Sequence, residues 1–321
     1  MTYTVLKPSA ASVLARSTVS IEWGGATRAT NGETVTIYFS DSYPVDPALA
    51  LKWADFMTSL VHGSDLSTVT VYIAPLNEVQ RYCGQNALAC YSSDTQTIVA
   101  PGEDPDPQTS AEGVLTHEYG HHVASSRLNP PFPTVDYGTK RWASYENVCA
   151  RAASRQLYPG AEDAQHYMLN PGEAFAESYR VLNEQKSGAM VEAWDVVSTL
   201  LYPDATALAL LEQDVTQPWA PTAATSVRVT LTKSLRAKSF VINTPYDGTL
   251  TVAPAQSAKT RVTFTVAANG TSLATRTIAS RTTTPISSTI CGQRSYTVNV
   301  KLSGTVTNKT KTTFTLKIAK P

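Results

Sequence analysis

Leu115-Thr116-His117-Glu118-Tyr119-Gly120-His121-His122 is the stretch on which the reading of this 321-residue chain turns. It contains His-Glu-x-x-His. In a helix, His117 and His121 stand one turn apart on one face, where two imidazole nitrogens can share a metal ion. Glu118 is then beside that ion, placed to take a proton from a water molecule. His122 is rotated about 100° from His121 and reads as a non-ligand. Thr109-Ser110-Ala111-Glu112 has the capping-box form and marks the start of the helix. Val114, Leu115 and Val123 give it apolar surface. Gly113 and Gly120 weaken it slightly, and Gly120 allows another backbone to approach the site.

Two histidines do not complete a catalytic zinc site, which takes three protein ligands and keeps a fourth position open. The downstream candidate is Asn170-Pro171-Gly172-Glu173-Ala174-Phe175-Ala176-Glu177-Ser178-Tyr179. Asn170 reads as an N-cap and Pro171 as the first helical residue. Glu173 and Glu177 then lie one turn apart on one face. One carboxylate can reach the metal while the other holds the distal N–H of a histidine ligand. The plain alternatives are a capping box closed by Glu173 and a solvated Glu177.

The pair of segments resembles the gluzincin branch of zinc metallopeptidases, with His-Glu-x-x-His on one helix and Glu-x-x-x-(Asp/Glu) on a later one. The string Glu173-Ala174-Phe175-Ala176-Glu177-Ser178-Tyr179 is closer to toxin-like and secreted bacterial members than to the thermolysin type. The metzincin pattern fails, because it needs Gly and His three and six positions after the second histidine, where this chain has Ala124 and Arg127. The resemblance implies an α+β zincin-like catalytic domain. It also implies one Zn2+ per chain on His117, His121 and Glu173, with Glu177 orienting a histidine. Glu118 would be the general base and a protein or peptide the substrate. Related enzymes place a tyrosine or histidine near the second helix as an oxyanion donor. Tyr167 is favoured over its neighbour His166, since a phenol is a neutral donor at physiological pH.

Net charge is zero, but it is unevenly spread. Residues 1–221 carry 12 Lys and Arg against 25 Asp and Glu, a net −13. Residues 222–321 carry 14 against the single acid Asp247, a net +13. Texture changes at the same place. The last hundred residues hold 24 threonines and no histidine, and alternate as short strands over Val227–Leu231, Ser239–Ile242, Thr249–Ala253, Arg261–Ala267, Tyr296–Leu302 and Thr313–Ile318. Tyr246-Asp247-Gly248 and Ala268-Asn269-Gly270 read as turns. This is the pattern of an all-β sandwich, joined through Pro218-Trp219-Ala220-Pro221-Thr222. We therefore expect a catalytic domain over 1–221 and an accessory domain over 222–321. The strings Gly248-Thr249-Leu250-Thr251-Val252 and Cys291-Gly292-Gln293-Arg294-Ser295-Tyr296-Thr297-Val298 resemble the pre-peptidase C-terminal domains of secreted bacterial peptidases. Opposite charge on one chain favours mutual attraction of the two parts; the competing expectation is that the basic part grips an anionic cell-surface polymer. No nucleic-acid partner is expected.

Within 1–221, Thr34–Ser40, Thr68–Ile73 and Thr95–Ala100 read as strands. Pro47–Val61, Lys140–Leu157, Pro171–Lys186, Val191–Leu201 and Ala205–Gln213 read as helices. The zincin resemblance implies that the strand before the active helix is a sheet edge on which extended substrate lies.

No apolar run is long enough to cross a bilayer. Met1 followed by Thr2-Tyr3-Thr4-Val5 reads as a mature secreted chain restarted with an initiator methionine. Four cysteines lack Cys-x-x-Cys metal spacing and fit an exported protein. Cys83 and Cys90 flank a small loop, which leaves Cys149 to pair with Cys291. Glu103, Asp104 and Asp106 could attract Ca2+, but their prolines do not fit a calcium loop. Two further functions stay open: a toxin-like peptidase with one protein target, and a catalytically degenerate zincin acting as a surface-binding module.

Overall fold

The computed structural model describes residues 21–256, 260–278, 285–292 and 294–321. The reading of Met1 to Val5 lies outside them, as does Gln293. The chain divides into two compact units, one running to Leu128 and resuming over Pro133–Trp219, the other comprising Ala220–Pro321 and the short segment Asn129–Phe132.

The first unit is built on a five-stranded sheet in the order β1-β2-β3-β5-β4. Its strands are β1 (Ile21–Arg28), β2 (Thr34–Ser40), β3 (Thr70–Ala74), β4 (Cys90–Ser92) and β5 (Thr97–Pro101). β2, β3 and β5 are parallel, while β1 and β4 run antiparallel along the two edges. Because strand side chains alternate, each strand feeds two layers. Val71, Ile73, Ile98 and Ala100 face the main core. Tyr72, Ala74 and Val99 face a smaller cluster with Val79, Cys83 and Cys90.

The described helices are α1 (Pro47–Ser59), α2 (Leu76–Cys83), α3 (Ala111–Ser125), α4 (Thr134–Tyr137), α5 (Lys140–Tyr145), α6 (Val148–Ala153), α7 (Pro171–Ser187) and α8 (Ala205–Thr216). α1 begins where Asp46 accepts from the Ala48 N–H and Pro47 fills the first turn. α1 and α3 lie on the main-core face, where Trp53, Met57, Leu115, Tyr119 and Phe175 are fully buried. α2 lies on the other face, and a Cys83–Cys90 disulfide ties its end to β4. Cys149 and Cys291 are also disulfide-bonded, and no cysteine is free. No described helix is long and apolar enough to cross a membrane.

Several expectations are corrected. The strand Thr97–Pro101 is internal, not an edge: the chain turns at Gln96, which has φ 53°, so β4 lies outside β5 and is the edge. Lys140–Leu157 is not one helix. It breaks at Asn147, whose left-handed backbone (φ 55°) separates α5 from α6. Val191–Leu201 is irregular apart from a 3-10 turn at Thr199–Leu201. Its backbone is taken by distant partners: Glu192 N–H donates to Glu184, Ala193 C=O accepts from Arg180, and Ser198 N–H donates to Met168 C=O.

The second unit is a sandwich of two four-stranded antiparallel sheets, ordered β10-β9-β12-β7 and β11-β8-β13-β6. Its strands are β6 (Thr225–Thr232), β7 (Ala237–Asn243), β8 (Gly248–Gln256), β9 (Val262–Ala268), β10 (Thr271–Ile278), β11 (Ile286–Ile290), β12 (Ser295–Leu302) and β13 (Lys311–Ala319). One apolar core joins the two sheets through Val229, Leu250, Phe264, Val298 and Leu316, with Phe264 and Phe314 edge to face. Sequence alternation did not reveal β10 and β11. The former follows a tight turn at Asn269-Gly270, both at positive φ.

Candidate metal centre

Two helices make the centre by crossing closely. α3 starts at Ser110, whose Oγ accepts from the Gly113 N–H. The expected box from Thr109 to Glu112 is displaced by one residue. Its reciprocal half comes from far along the chain: Glu192 accepts from both the N–H and the hydroxyl of Ser110. Gly113 leaves room for this, since a Cβ there would lie 2.8 Å from the Glu192 carboxylate. α7 starts as expected, with Asn170 accepting from the Gly172 N–H and Pro171 in the first turn. The two helices approach closely at Gly120, where a Cβ would stand 2.9 Å from Ala176 Cα. This close approach brings the face bearing His117 and His121 onto the face bearing Glu173 and Glu177.

His117, His121 and Glu173 offer ligand atoms that all lie within 4.8 Å of one another. Glu173 Oε2 is 3.3 Å from His117 Nε2 and 3.5 Å from His121 Nε2. None of the three is more than 1% exposed. Both His121 ring nitrogens and Glu173 Oε1 are buried without a hydrogen-bond partner. Buried polar atoms are normally satisfied, so this donor set, two imidazoles and a carboxylate, fits a metal ion. Among the described residues no other group of this kind occurs.

A second layer fixes the first. Glu177 Oε2 meets His117 Nδ1 at 3.0 Å. Glu177 is in turn clamped by Arg180, whose Nε donates to Oε2 at 3.0 Å and whose terminal nitrogen donates to Oε1 at 2.6 Å. Arg180 also reaches Glu184 at 2.6 Å and Ala193 C=O at 3.3 Å. The Tyr167 hydroxyl donates to Glu173 Oε2 at 2.7 Å. His166 instead is half-buried, bonded to Asp163 at 2.9 Å and packed on Tyr158.

The electrostatics follow from this enclosure. Burial alone would lower the His117 pKa, but its contacts with Glu173 and Glu177 raise it to about 10. Burial would raise Glu173, yet His121 and His117 hold it well below the usual carboxylate range. Glu177 is depressed likewise against burial, by His117 and Arg180. Glu118 is 2% exposed, and burial raises its pKa. Two carboxylates are thus held ionised, while the third is made more basic.

His122 sits on the back of α3. Its Nε2 contacts Asp65 C=O at 2.9 Å and its Nδ1 contacts the Tyr91 hydroxyl at 3.1 Å. Asp65 accepts from Tyr119 at 2.7 Å and from Arg127 at 2.5 Å. This network secures the helix from behind. Neither Asp65 nor Arg127 carries a sequence signal, because their partners are tens of residues away. Arg180 does: it stands three residues after Glu177, the spacing at which helical side chains meet.

No family model matches the chain, and no curated protein matches it. Similar solved structures include the pre-peptidase C-terminal domain of a collagenase from Bacillus anthracis, at 11% identity over 30% of this chain and 89% of that one, with a TM-score of 0.25. The Yersinia pseudotuberculosis-derived mitogen is 10% identical over 31% and 86%, with a TM-score of 0.24. A carbohydrate-binding module in complex with calcium and xylotriose is 9% identical over 31% and 88%, with a TM-score of 0.19. Similarity this low carries no argument. The sandwich rests on its own strand order and core.

Proposed function

We propose that the chain is a zinc-dependent metallopeptidase of gluzincin type, secreted, with its chemistry in the first unit. The observation that carries this reading is the burial of His117, His121 and Glu173 around one point, with Glu118 alongside and Glu177 behind His117. A zinc ion bound there would supply Lewis-acid polarisation of a peptide carbonyl and a more acidic water.

The chain's own groups have separate tasks. Glu118 accepts the proton of the attacking water and returns it to the leaving amine. Its raised basicity suits that exchange. Glu177, clamped by Arg180, fixes the ring of His117 and keeps Nε2 turned toward the ligand point. Tyr167 has its hydroxyl within 2.7 Å of Glu173, from which it can turn to donate to a developing oxyanion.

Metal analysis paired with a peptide-library digest, with and without a chelator, tests the reading. We expect about one zinc per chain and broad cleavage abolished by the chelator. Cleavage restricted to one protein would favour the toxin-like alternative. Bound zinc without any cleavage would favour a degenerate zincin, and absence of zinc would defeat the assignment of the centre.

A further inference from the structure

The second unit has a face that the metal centre does not use. Residues 222–321 contain one acidic side chain, Asp247. It is 3% exposed and accepts from Gly292 N–H and from Arg294. The outside of the sandwich therefore presents no side-chain carboxylate to balance its cations.

Those cations are ordered on the sheet β11-β8-β13-β6. Along β13, Phe314, Leu316 and Ile318 point into the core. Lys311, Thr313, Thr315 and Lys317 alternate with them and point outward. On β6 they pair with Thr232, Thr230, Arg228 and Ser226 respectively. Lys311 and Lys317 are about 20 Å apart at roughly 3.4 Å per residue, with Arg228 between them, beside Thr315. At one end, Lys233, Lys309 and Lys311 line a concavity with Thr232, Ser234, Asn308 and Thr310. Arg228, Lys233, Lys309, Lys311 and Lys317 are all exposed, and none forms an ion pair among the described residues.

We propose that this face binds an acidic polysaccharide. The three-lysine concavity would take one carboxylate, Arg228 and Lys317 would take later ones, and the intervening threonines would bond the sugar hydroxyls. Cations spaced along a strand match a linear polyanion better than a point ligand. The threonines supply both donors and acceptors, which a polyhydroxylated chain can use. Nucleic acid fits less well: among the described residues the face has no aromatic side chain for base stacking and the unit no helix to enter a groove. A membrane surface fits less well too, because among the described residues no large apolar side chain stands on the face itself; Leu235, in the turn after β6, is exposed nearby.

Affinity electrophoresis of the full chain in gels containing polygalacturonate tests this, with dextran, a B-DNA fragment and vesicles of mixed phosphatidylcholine and phosphatidylserine as the other arms. We expect retardation by polygalacturonate and none by dextran. The triple variant Lys233→Gln, Lys309→Gln, Lys311→Gln should weaken binding roughly tenfold or more, since several exposed contacts are removed together. Arg228→Gln with Lys317→Gln should weaken it more than Lys238→Gln with Lys301→Gln, which removes the same charge elsewhere on the sandwich. Equal losses in those two pairs would show that net charge alone acts and would overturn the assigned face. So would tighter binding to DNA or vesicles than to polygalacturonate, or no retardation at all. Peptide cleavage in solution is a separate readout, so failure here leaves the metal centre standing.

Discussion

In the first unit His117, Glu118, His121, Glu173, Glu177 and Arg180 are all at most 4% exposed. In the second, Arg228, Lys233, Lys309, Lys311 and Lys317 stand in solvent, and the one buried acid is neutralised by Arg294. Taking a charge out of water costs several kcal/mol unless partners compensate, and apolar replacements are often equally stable. A dense group of buried charges is thus a poor way to hold a fold together. It is a good way to hold reactive atoms. The sandwich has the opposite economy: an apolar interior between sheets whose exposed faces are largely hydroxyl-bearing, and cations kept where water can solvate them.

The sharpest way to break this contrast is Glu118→Gln. It removes a proton acceptor and almost no volume, so turnover should fall by roughly three to four orders of magnitude, with zinc content and unfolding unchanged. Unaltered hydrolysis would mean that the buried carboxylate is not the base.

Next in size is the hold on the metal. Glu177→Ala should weaken zinc binding roughly 10–100-fold by releasing the ring of His117. The same position predicts a pH effect. Without metal, His117 keeps its proton up to about pH 10, and zinc must displace it. Affinity should therefore rise with pH between 6 and 8, by up to about tenfold per unit, and decline as pH falls. In Glu177→Ala the slope should flatten, because one of the contacts that raises His117 is gone. Competition with a chromophoric chelator measures both; a pH-independent affinity would refute the proton competition.

A third test concerns packing. Gly120→Ala gains about 1 kcal/mol of helix propensity, yet its Cβ would meet Ala176 Cα at 2.9 Å. Overpacking of about 1–3 kcal/mol should prevail and lower the urea midpoint. All five tryptophans lie in residues 1–219, so their fluorescence reports this unit alone. A stabilised variant would show that the helices can part at no cost.

The smallest effect belongs to the sandwich. Thr263 bonds Thr277 across β9 and β10 at 2.8 Å on the outer face. Thr263→Val should change stability by no more than about 0.5 kcal/mol, read from amide exchange in β9. A loss as large as that of Gly120→Ala would erase the distinction between the units.

How far the sequence discloses all this follows from range. The grouping of these side chains was legible because each half is local: His117 and His121 on one turn, Glu173 and Glu177 on another, each with capping signals nearby. The sandwich was legible because two-residue alternation is local as well. What stayed hidden depends on partners far along the chain. The capping-box form points to Thr109 as the cap of α3, but Glu192, 82 residues on, goes with Ser110. Val191–Leu201 has a helical composition, but its backbone groups are claimed by Glu184, Arg180 and Met168. Thr97–Pro101 could not be placed within the sheet until the strand beyond it was known.

The two borders of the first unit's sheet bear on how the chain survives being crowded with its own copies. An open strand edge is a template on which a neighbouring molecule can polymerise. Here one border, β1, has an irregular register between Ile21 and Trp23 and positive φ at both Gly24 and Gly25. The other, β4, is three residues long and fastened at Cys90. Neither gives an intruding strand a long, flat row of free amides. Concentrated stocks should resist fibril formation from this sheet for reasons of backbone shape, independently of the charge the protein carries.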